Sequence, residues 1–466
     1  MTVSIARPEA TRLLAEYAAR LAYEQLPSTV IEAAKTALID WIAVAAVGSR
    51  TRQGIAAAAV ARAERANPES TLFNDGTATS ATWAAFANGT ASHTIELDDI
   101  HLPSIVHGGV AMIGAAVAVA QKLNADGKQL IGALVVGFDV QYRIGEAIAA
   151  SHYGKFHSTG TVGTFGAAAA CAKLMNLDVL QTQWALGNAG SQAAGLWQYL
   201  KIGDDTKVLH PGKSCMNGVI AANLAAQGFT GSVDIIEGER GFIATMSDQV
   251  DWDRITDRLG SYFKVVENGY KIHACCRHGH VTIDQTLRIV EAGDLTAKDI
   301  ERVTVKLPTN SSITIDDPNP PSAYKAKFSV QFMVANAIIY RRVGLEAFTA
   351  KRLSDRSVRE LMSRVEVVEE PAFNEGFPDK WTAEVTIETA DGRCLVGSSD
   401  MPLGEWVNPV PASRVEEKAR DLLSLVMDES SIDTLVARLA DLQTVDNVSA
   451  MLPEIGGSAP KLRAVV

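Results

Sequence analysis

The sequence lacks the features that would connect it to a membrane, to nucleic acid or to export. Its formal net charge is −11 and it has no long basic run, which argues against a nucleic-acid partner and against an anionic membrane surface. The longest uncharged apolar stretch, residues 108–120, is shorter than the ~18 residues that indicate a membrane span. The N-terminal segment is charged throughout and has no apolar signal-peptide core.

Cysteine is scarce, and the motifs of several enzyme classes are missing. The five cysteines are odd in number, so reduced thiols and a cytoplasmic location are expected. There is no G-x-S-x-G and no H-E-x-x-H motif. The stretch HPGKS at 210–214 does not complete a phosphate-binding loop, because Lys207 stands where the first glycine is required.

The patterns that are present predict a mainly α fold. The chain has 466 residues, of which 47% are hydrophobic and 21% charged, as in a folded protein of more than one domain. Up to about residue 265, apolar residues recur at the spacing of amphipathic helices. Alternating runs at 300–308, 363–370 and 381–399 predict strands, and the last run holds a hairpin turn at 390–392. Helical spacing returns from about residue 411.

These boundaries predict a large all-helical domain with a smaller inserted α+β lid domain. The helical domain is expected over residues 1–267 and the lid over 268–405. Residues 406–466 are expected to form C-terminal helices that rejoin the helical domain.

Titratable residues concentrate in ELDDIHLPSIVHGG, residues 96–109, and at other predicted helix starts. All nine histidines lie between residues 93 and 280. Histidines precede four predicted helices: His107, His157, His210, and the pair His278 and His280. The first turn of a helix offers free N–H groups and the positive end of the helix dipole, which suit a carboxylate or a phosphate.

Cations accompany these histidines: Lys207, Lys213, Lys271 and Arg277. If the helix starts converge, they form an anion pocket with groups that titrate near neutral pH. Each residue taken singly is as readily explained as a polar loop residue. His93 and His152 have weaker contexts and are interpreted as structural, and Cys275 and Cys276 as either reactive thiols or buried filling. A metal is not expected, because the histidine and aspartate spacing matches no metal-binding signature.

Five blocks of the sequence, taken in order, resemble the MmgE/PrpD family. They are ELDDIHLPSIVHGG, KFHSTGTVGTFGAAAA, KVLHPGKSCMNGVIAANLAAQGF, YKIHACCRHGH and AKFSVQFMVA. The resemblance covers nearly the whole chain. It implies a helical domain with an α+β lid, a homodimer, a small polycarboxylate substrate, and neither a metal nor an organic cofactor.

The resemblance, together with the clustering, assigns candidate roles. The candidate catalytic residues are Glu96, Asp98, His101, His107, His157 and Lys207. The candidate substrate-binding residues are His210, Lys213, Lys271, Cys276, Arg277 and His278. The sequence departs from the family pattern in two places: Glu96 stands where most members have aspartate, and Cys276 stands where some have histidine.

The activity implied by the resemblance is proton transfer at a carbon next to a carboxylate. The family includes 2-methylcitrate dehydratase, cis-aconitate decarboxylase and iminodisuccinate epimerase, and the resemblance is closest to the epimerase. A cofactor-free epimerase of an imino- or amino-polycarboxylic acid is therefore the leading hypothesis. A hydro-lyase or decarboxylase acting on a tricarboxylic acid is the alternative, and a non-catalytic polycarboxylate-binding protein is the third. The residues alone do not choose among them, because all use the same acid, base and cation inventory.

Overall fold

The computed structural model describes residues 8–450, so both ends of the predicted domains, 1–7 and 451–466, lie outside the described residues. Most of the first half is helical. The helices of this half are α1 (Ala10–Arg20), α2 (Ser28–Gly48), α3 (Arg52–Ala63), α4 (Ala81–Ser92), α5 (Gly108–Leu123), α6 (Gly127–Tyr153), α7 (Ser158–Leu174), α8 (Val179–Gly190) and α9 (Thr206–Ala226).

The core of the helical domain is formed by α4, α5, α6, α7 and α9, which pack against one another. Alanine and glycine allow these helices to approach closely. A Cβ atom on Gly163 of α7 would lie 2.4 Å from the Cβ of Ala111 in α5, so a larger residue there would push the two helices apart. The helix faces that meet are buried almost completely.

Two short antiparallel strand pairs accompany the helices, and the second of them crosses into the lid. The first pair is β1 (Ser70–Thr71) with β2 (Ala78–Thr79). The second pair is β3 (Asp99–Ile100) with β4 (Gly269–Tyr270). The acidic loop between α4 and α5 is thereby fixed against the segment that leads into the lid.

After α9 the helices become shorter and a four-stranded sheet appears. The helices are α10 (Phe242–Met246), α11 (Asp253–Thr256), α12 (His280–Ala292), α13 (Thr309–Ile315), α14 (Ala323–Ala326), α15 (Val330–Tyr340), α16 (Ala350–Leu353) and α17 (Arg356–Met362). The strands are β5 (Ile300–Leu307), β6 (Val365–Glu369), β7 (Ala383–Thr389) and β8 (Cys394–Ser399). The alternating runs therefore predicted these strands correctly.

The sheet has the strand order β6-β5-β7-β8. β5 and β6 are parallel, with Val305 opposite Val367, whereas β7 is antiparallel to both β5 and β8. Every second residue of β7 is buried, including Val385 and Ile387, and α12 packs against β7 and β8. This alternation is the burial pattern of a strand with one face on a core.

The last two helices, α18 (Ala412–Leu423) and α19 (Glu429–Ala440), pack against α2 of the helical domain. The fold is therefore mainly α with a small sheet in its C-terminal part, as the sequence predicted. The residue numbers of the domain boundaries stay predictions. Within residues 8–450, no helix combines the length and the apolar character needed to cross a membrane.

Candidate active site

The loop that joins α4 to α5 folds back on itself and turns its carboxylates inward. Glu96 and Ile105 both have left-handed backbone conformations, with φ of 56° and 53°. Such conformations are costly for residues other than glycine and are retained where the surroundings enforce them. His101 and Val106 form an isolated antiparallel bridge across the turn that contains Ile105. The loop therefore holds Glu96 and Asp98 in fixed, fully buried positions.

Two buried lysines neutralise the two carboxylates. Lys207 forms an ion pair with Glu96, and Lys271 Nζ lies 3.1 Å from Glu96 Oε2 and 3.3 Å from Asp98 Oδ1. Burial by itself would raise the pKa of both carboxyls. The pKa of Glu96 is nevertheless lowered, chiefly by the two lysines, and that of Asp98 is lowered by Lys271 together with His93 and His107. The pKa of Lys271 is raised despite its burial, because Asp98 and Glu96 favour its charged form. With His107, these residues form the His107 cluster.

His107 is held with one ring nitrogen engaged and the other free. Its Nδ1 lies 2.9 Å from the backbone oxygen of Asp99 and 2.7 Å from Asp98 Oδ2. A carbonyl oxygen only accepts, so Nδ1 carries the proton and donates it, which leaves the Nε2 lone pair free. Burial lowers the pKa of His107 to about 4, although Asp98 acts in the opposite direction. His107 is thus a neutral imidazole, and among the residues that the structure describes its Nε2 has no hydrogen-bond partner.

The N-terminus of α5 already has an acidic side chain of the protein bound to it. Asp99 accepts hydrogen bonds from the Gly109 N–H at 2.8 and 3.0 Å and from Asn268 Nδ2 at 2.9 Å. A Cβ on Gly109 would come within 2.9 Å of this carboxylate, so the close approach requires glycine. The expectation that this helix start offers the Gly109 N–H to a ligand is therefore wrong: Asp99 occupies it.

His157 precedes α7 as predicted, whereas His210 does not precede α9. The Nδ1 atoms of His157 and His210 are 2.9 Å apart. The Pro-Gly after His210 suggested a helix start, but α9 begins one turn earlier, where Asp204 accepts a hydrogen bond from the Thr206 N–H. Burial lowers the pKa of both imidazoles, that of His210 to about 4. His210 does not line the cavity, and its contact with His157 Nδ1 positions the His157 ring there.

The lid supplies the opposite wall. His278 Nδ1 is 2.7 Å from Ser311 Oγ, and its ring lies 4.4 Å from the ring of Trp381, centroid to centroid. Arg277 is paired with the buried Glu405, so its charge is already balanced. Burial raises the pKa of Cys276, which keeps this residue a thiol at neutral pH.

These walls line a small cavity of about 30 Å³. The residues that line the cavity are Glu96, Ile100, Ile105, His107, Tyr153, His157, Trp197, Tyr199, Leu200, Lys207, Lys271, Cys276, Arg277, His278, Thr314, Phe328 and Trp381. One half of this lining is charged or titratable and the other half is apolar or aromatic.

The structure does not bring every candidate residue to the cavity. Asp98 and His210 stand behind lining histidines. Lys213 is half-buried on α9 and does not line the cavity. His101 belongs to a separate group, the His101 cluster, with Glu146, Glu267 and Lys264.

Sequence reasoning also missed residues that the structure brings to the site. His93 is fully buried, and its Nδ1 lies 3.0 Å from Asp98 Oδ2. Tyr153, Trp197 and Trp381 form part of the cavity wall. His93 stands only three residues before Glu96, which was a usable signal, whereas the aromatic residues come from three distant segments and show no shared pattern.

Two family models together match most of the chain. The family model described as the MmgE/PrpD N-terminal domain matches residues 12–255, and that described as the MmgE/PrpD C-terminal domain matches residues 273–441. The chain belongs to the MmgE/PrpD family. The family resemblance predicted from the five sequence blocks is therefore confirmed.

Curated relatives of this MmgE/PrpD protein match it along nearly their whole length. Human cis-aconitate decarboxylase is 26% identical over 456 residues, covering 93% of this chain and 92% of the relative. Cis-aconitate decarboxylase of Aspergillus terreus is 26% identical over 475 residues, covering 96% of each chain. The cis-aconitate decarboxylase-like protein oryM of Aspergillus oryzae is 27% identical over 490 residues, covering 98% of this chain and 100% of the relative.

Proposed function

We propose that this MmgE/PrpD protein is a lyase that decarboxylates an unsaturated tricarboxylic acid of the cis-aconitate type. The proposal rests mainly on the position of His107. Its Nδ1 is hydrogen-bonded, its Nε2 is free, and it lines the buried cavity together with Lys207 and Lys271. The names of the relatives favour decarboxylation over the epimerisation expected from the sequence. The expected homodimer stays a prediction.

The lysines are the proposed contacts for the substrate carboxylates. Lys207 and Lys271 both line the cavity, and each is paired with Glu96 in the structure described here. A substrate carboxylate would have to share these cations with Glu96 or displace it. A charge-assisted contact in a buried site is stronger than a neutral hydrogen bond, so the exchange is favourable when the cavity closes over the ligand.

The chemistry requires one proton at carbon. When a carboxylate leaves as CO₂, the electron pair of the broken C–C bond stays on the remaining carbon skeleton. In a β,γ-unsaturated acid this pair forms a new double bond, while the original double bond takes up a proton at its far carbon. The dicarboxylate product thus gains one proton and loses one CO₂. The bound polyanion favours a protonated imidazole beside it, and His107 is the proposed donor.

Asp98 keeps His107 in the orientation that this step needs. It accepts from Nδ1, so Nε2 faces the substrate whether it holds a proton or has released it. Lys207 and Lys271 stabilise the negative charge that develops as the bond breaks. His157 lines the same cavity and, held by His210, is the second imidazole near the substrate.

Epimerisation of an imino- or amino-polycarboxylic acid is the second candidate. His107 and His278 line the cavity from two different domains, and inversion needs proton-carrying groups on two faces of one carbon. The two functions differ in whether the substrate loses a carbon.

Proton and ¹³C NMR of the purified protein with cis-aconitate in deuterium oxide tests the proposal. Decarboxylation gives CO₂ and a dicarboxylate that carries one deuterium on carbon. A product with added water contradicts it in favour of a hydro-lyase. Deuterium uptake by an iminodicarboxylate without carbon loss, with cis-aconitate unchanged, contradicts it in favour of the epimerase.

A further inference from the structure

Three imidazoles converge beside the cavity, and two of them, those of His107 and His157, line it. A ring nitrogen of His93, one of His107 and one of His157 all lie within 4.8 Å of one another, and the three residues are buried. The ring centroids are 4.8 Å apart for His93 and His107, 6.0 Å for His93 and His157, and 6.4 Å for His107 and His157. Such spacing is close to that of three histidines around a single ion.

Each of these rings uses Nδ1 and leaves Nε2 without a partner. Nδ1 of His93 contacts Asp98, Nδ1 of His107 contacts Asp98 and the Asp99 carbonyl, and Nδ1 of His157 contacts His210. Among the residues that the structure describes, none of the three Nε2 atoms has a hydrogen-bond partner. Nε2 of His93 is in addition completely buried, which is costly unless a ligand satisfies it.

The surroundings resemble the support of a metal site. Asp98 Oδ2 lies 3.0 Å from Nδ1 of His93 and 2.7 Å from Nδ1 of His107. A carboxylate that accepts from Nδ1 fixes the tautomer and makes Nε2 a better ligand. The charges of Lys207 and Lys271 are offset by Glu96 and Asp98, so a divalent ion would not face unbalanced positive charge.

We propose that His93, His107 and His157 bind Zn²⁺ through their Nε2 atoms and that the bound ion inhibits the protein. Zinc accepts three histidine ligands at ~2.0–2.1 Å and leaves a fourth position open to water or an anion. The rings would need to close inward from their present spacing. The ion takes the nitrogen that the proposed function requires for proton transfer, so inhibition, unlike binding, rests on that function.

Metal titration of the full-length protein, with any affinity tag removed, tests the site. Isothermal titration with ZnCl₂ should show one strong site per chain, and Co²⁺ should give the intense visible absorption of tetrahedral nitrogen coordination. His93→Gln and His157→Gln should each abolish the strong site. Asp98→Asn should weaken it by about 10–100-fold, the usual effect of losing a hydrogen-bond partner of a metal ligand.

The matched control is His273→Gln. His273 pairs with Asp284 and is not one of the three proposed zinc ligands, so its replacement should leave zinc affinity unchanged. Circular dichroism checks that each variant is folded. If His93→Gln does not fold, the wild-type Co²⁺ spectrum decides, because a weak octahedral spectrum overturns the proposal.

Absence of strong zinc binding to the wild type also overturns the proposal, as does binding that persists in folded His93→Gln and His157→Gln. Loss of binding in Glu267→Gln alone would overturn it in favour of the His101 cluster, whose three candidate ligands also lie within 4.8 Å of one another. Binding is measured without substrate. A protein that binds zinc at this site but leaves cis-aconitate unchanged when it is free of zinc would therefore contradict only the proposed function.

Discussion

One loop, residues 93–107, contributes a histidine to each of two buried charged clusters, and the two clusters differ in whether that histidine keeps a ring nitrogen free. In the His107 cluster, the imidazole keeps Nε2 unoccupied and lines the cavity. In the His101 cluster, both ring nitrogens are used: Nδ1 lies 2.8 Å from Ser104 Oγ and Nε2 lies 3.0 Å from Glu267 Oε2. The two clusters are similar in burial and charge. The free ring nitrogen at the cavity is therefore the feature that separates the proposed catalytic cluster from the structural one.

The lysines show the same contrast. Lys264 Nζ lies 2.8 Å from Glu146 Oε1 and 3.0 Å from Glu267 Oε2, and none of these three residues lines the cavity. Lys207 holds Glu96 from the cavity side. The first lysine ties α6 to the segment before the lid, whereas the second lines the cavity, where a ligand could reach it.

Replacing His107 should have the largest effect. His107→Asn removes the proposed proton carrier but keeps a side chain able to donate to Asp98. The turnover number should fall by roughly 10²-fold or more, which is typical of a lost general acid or base. Steady-state kinetics with cis-aconitate measures it. A variant with nearly wild-type turnover would show that the His107 cluster is no more catalytic than the His101 cluster.

Lys207→Met should lower kcat/KM by at least about tenfold, because it removes a charge-assisted contact with the substrate. It should also destabilise the fold by about 1–3 kcal/mol, since the buried Glu96 loses one of its two cations and keeps only Lys271. Denaturant unfolding and kinetics on the same preparation separate the two effects. A loss of stability with unchanged kcat/KM would show that Lys207 serves only Glu96.

His101→Asn should affect stability more than activity. Asparagine is too short to replace the contact of His101 Nε2 with Glu267. The buried Glu267 carboxylate would lose a partner, which costs about 1–3 kcal/mol of unfolding free energy. The kcat/KM should fall by less than about tenfold, because His101 does not line the cavity. A loss of turnover as large as that of His107→Asn, in a variant of unchanged stability, would return His101 to the catalytic residues.

A histidine outside both clusters should affect the pH dependence of stability. Burial lowers the pKa of His152 to about 4, while an unfolded imidazole titrates near 6.5. The unfolded chain therefore takes up the proton first, and this residue reduces stability as the pH falls from about 6.5 toward 4. Between pH 7.5 and pH 5, His152→Gln should lose about 2 kcal/mol less stability than the wild type. Equal losses in the two proteins would show that His152 does not titrate this way.

The smallest expected change is that of a chelator, which should leave turnover intact because the proposed proton transfer uses only side chains of the chain. Added zinc should inhibit. A chelator-sensitive activity restored by one particular ion would instead make the His107 cluster a metal-dependent centre.

Local patterns could predict the fold but not the pairing within the site. The alternation in 300–308 and 381–399 is a property of neighbouring residues, so it identified β5, β7 and β8. The contrast between His101 and His107 depends on Glu267 and Asp98, one distant and one near in sequence, and no spacing rule separates them. The same applies to Arg277, whose partner Glu405 lies far along the chain. Ionic partners that are remote in sequence are fixed only by the packed fold.

The most direct test of the contrast is side-chain NMR of the protein with ¹⁵N-labelled histidine, assigned with the His101→Asn and His107→Asn variants. The experiment follows Nε2 of both residues while a non-reactive tricarboxylate is added. We expect the His107 Nε2 resonance to move with ligand occupancy and the His101 resonances to stay in place. Movement of the His101 resonances with those of His107 unchanged would contradict it.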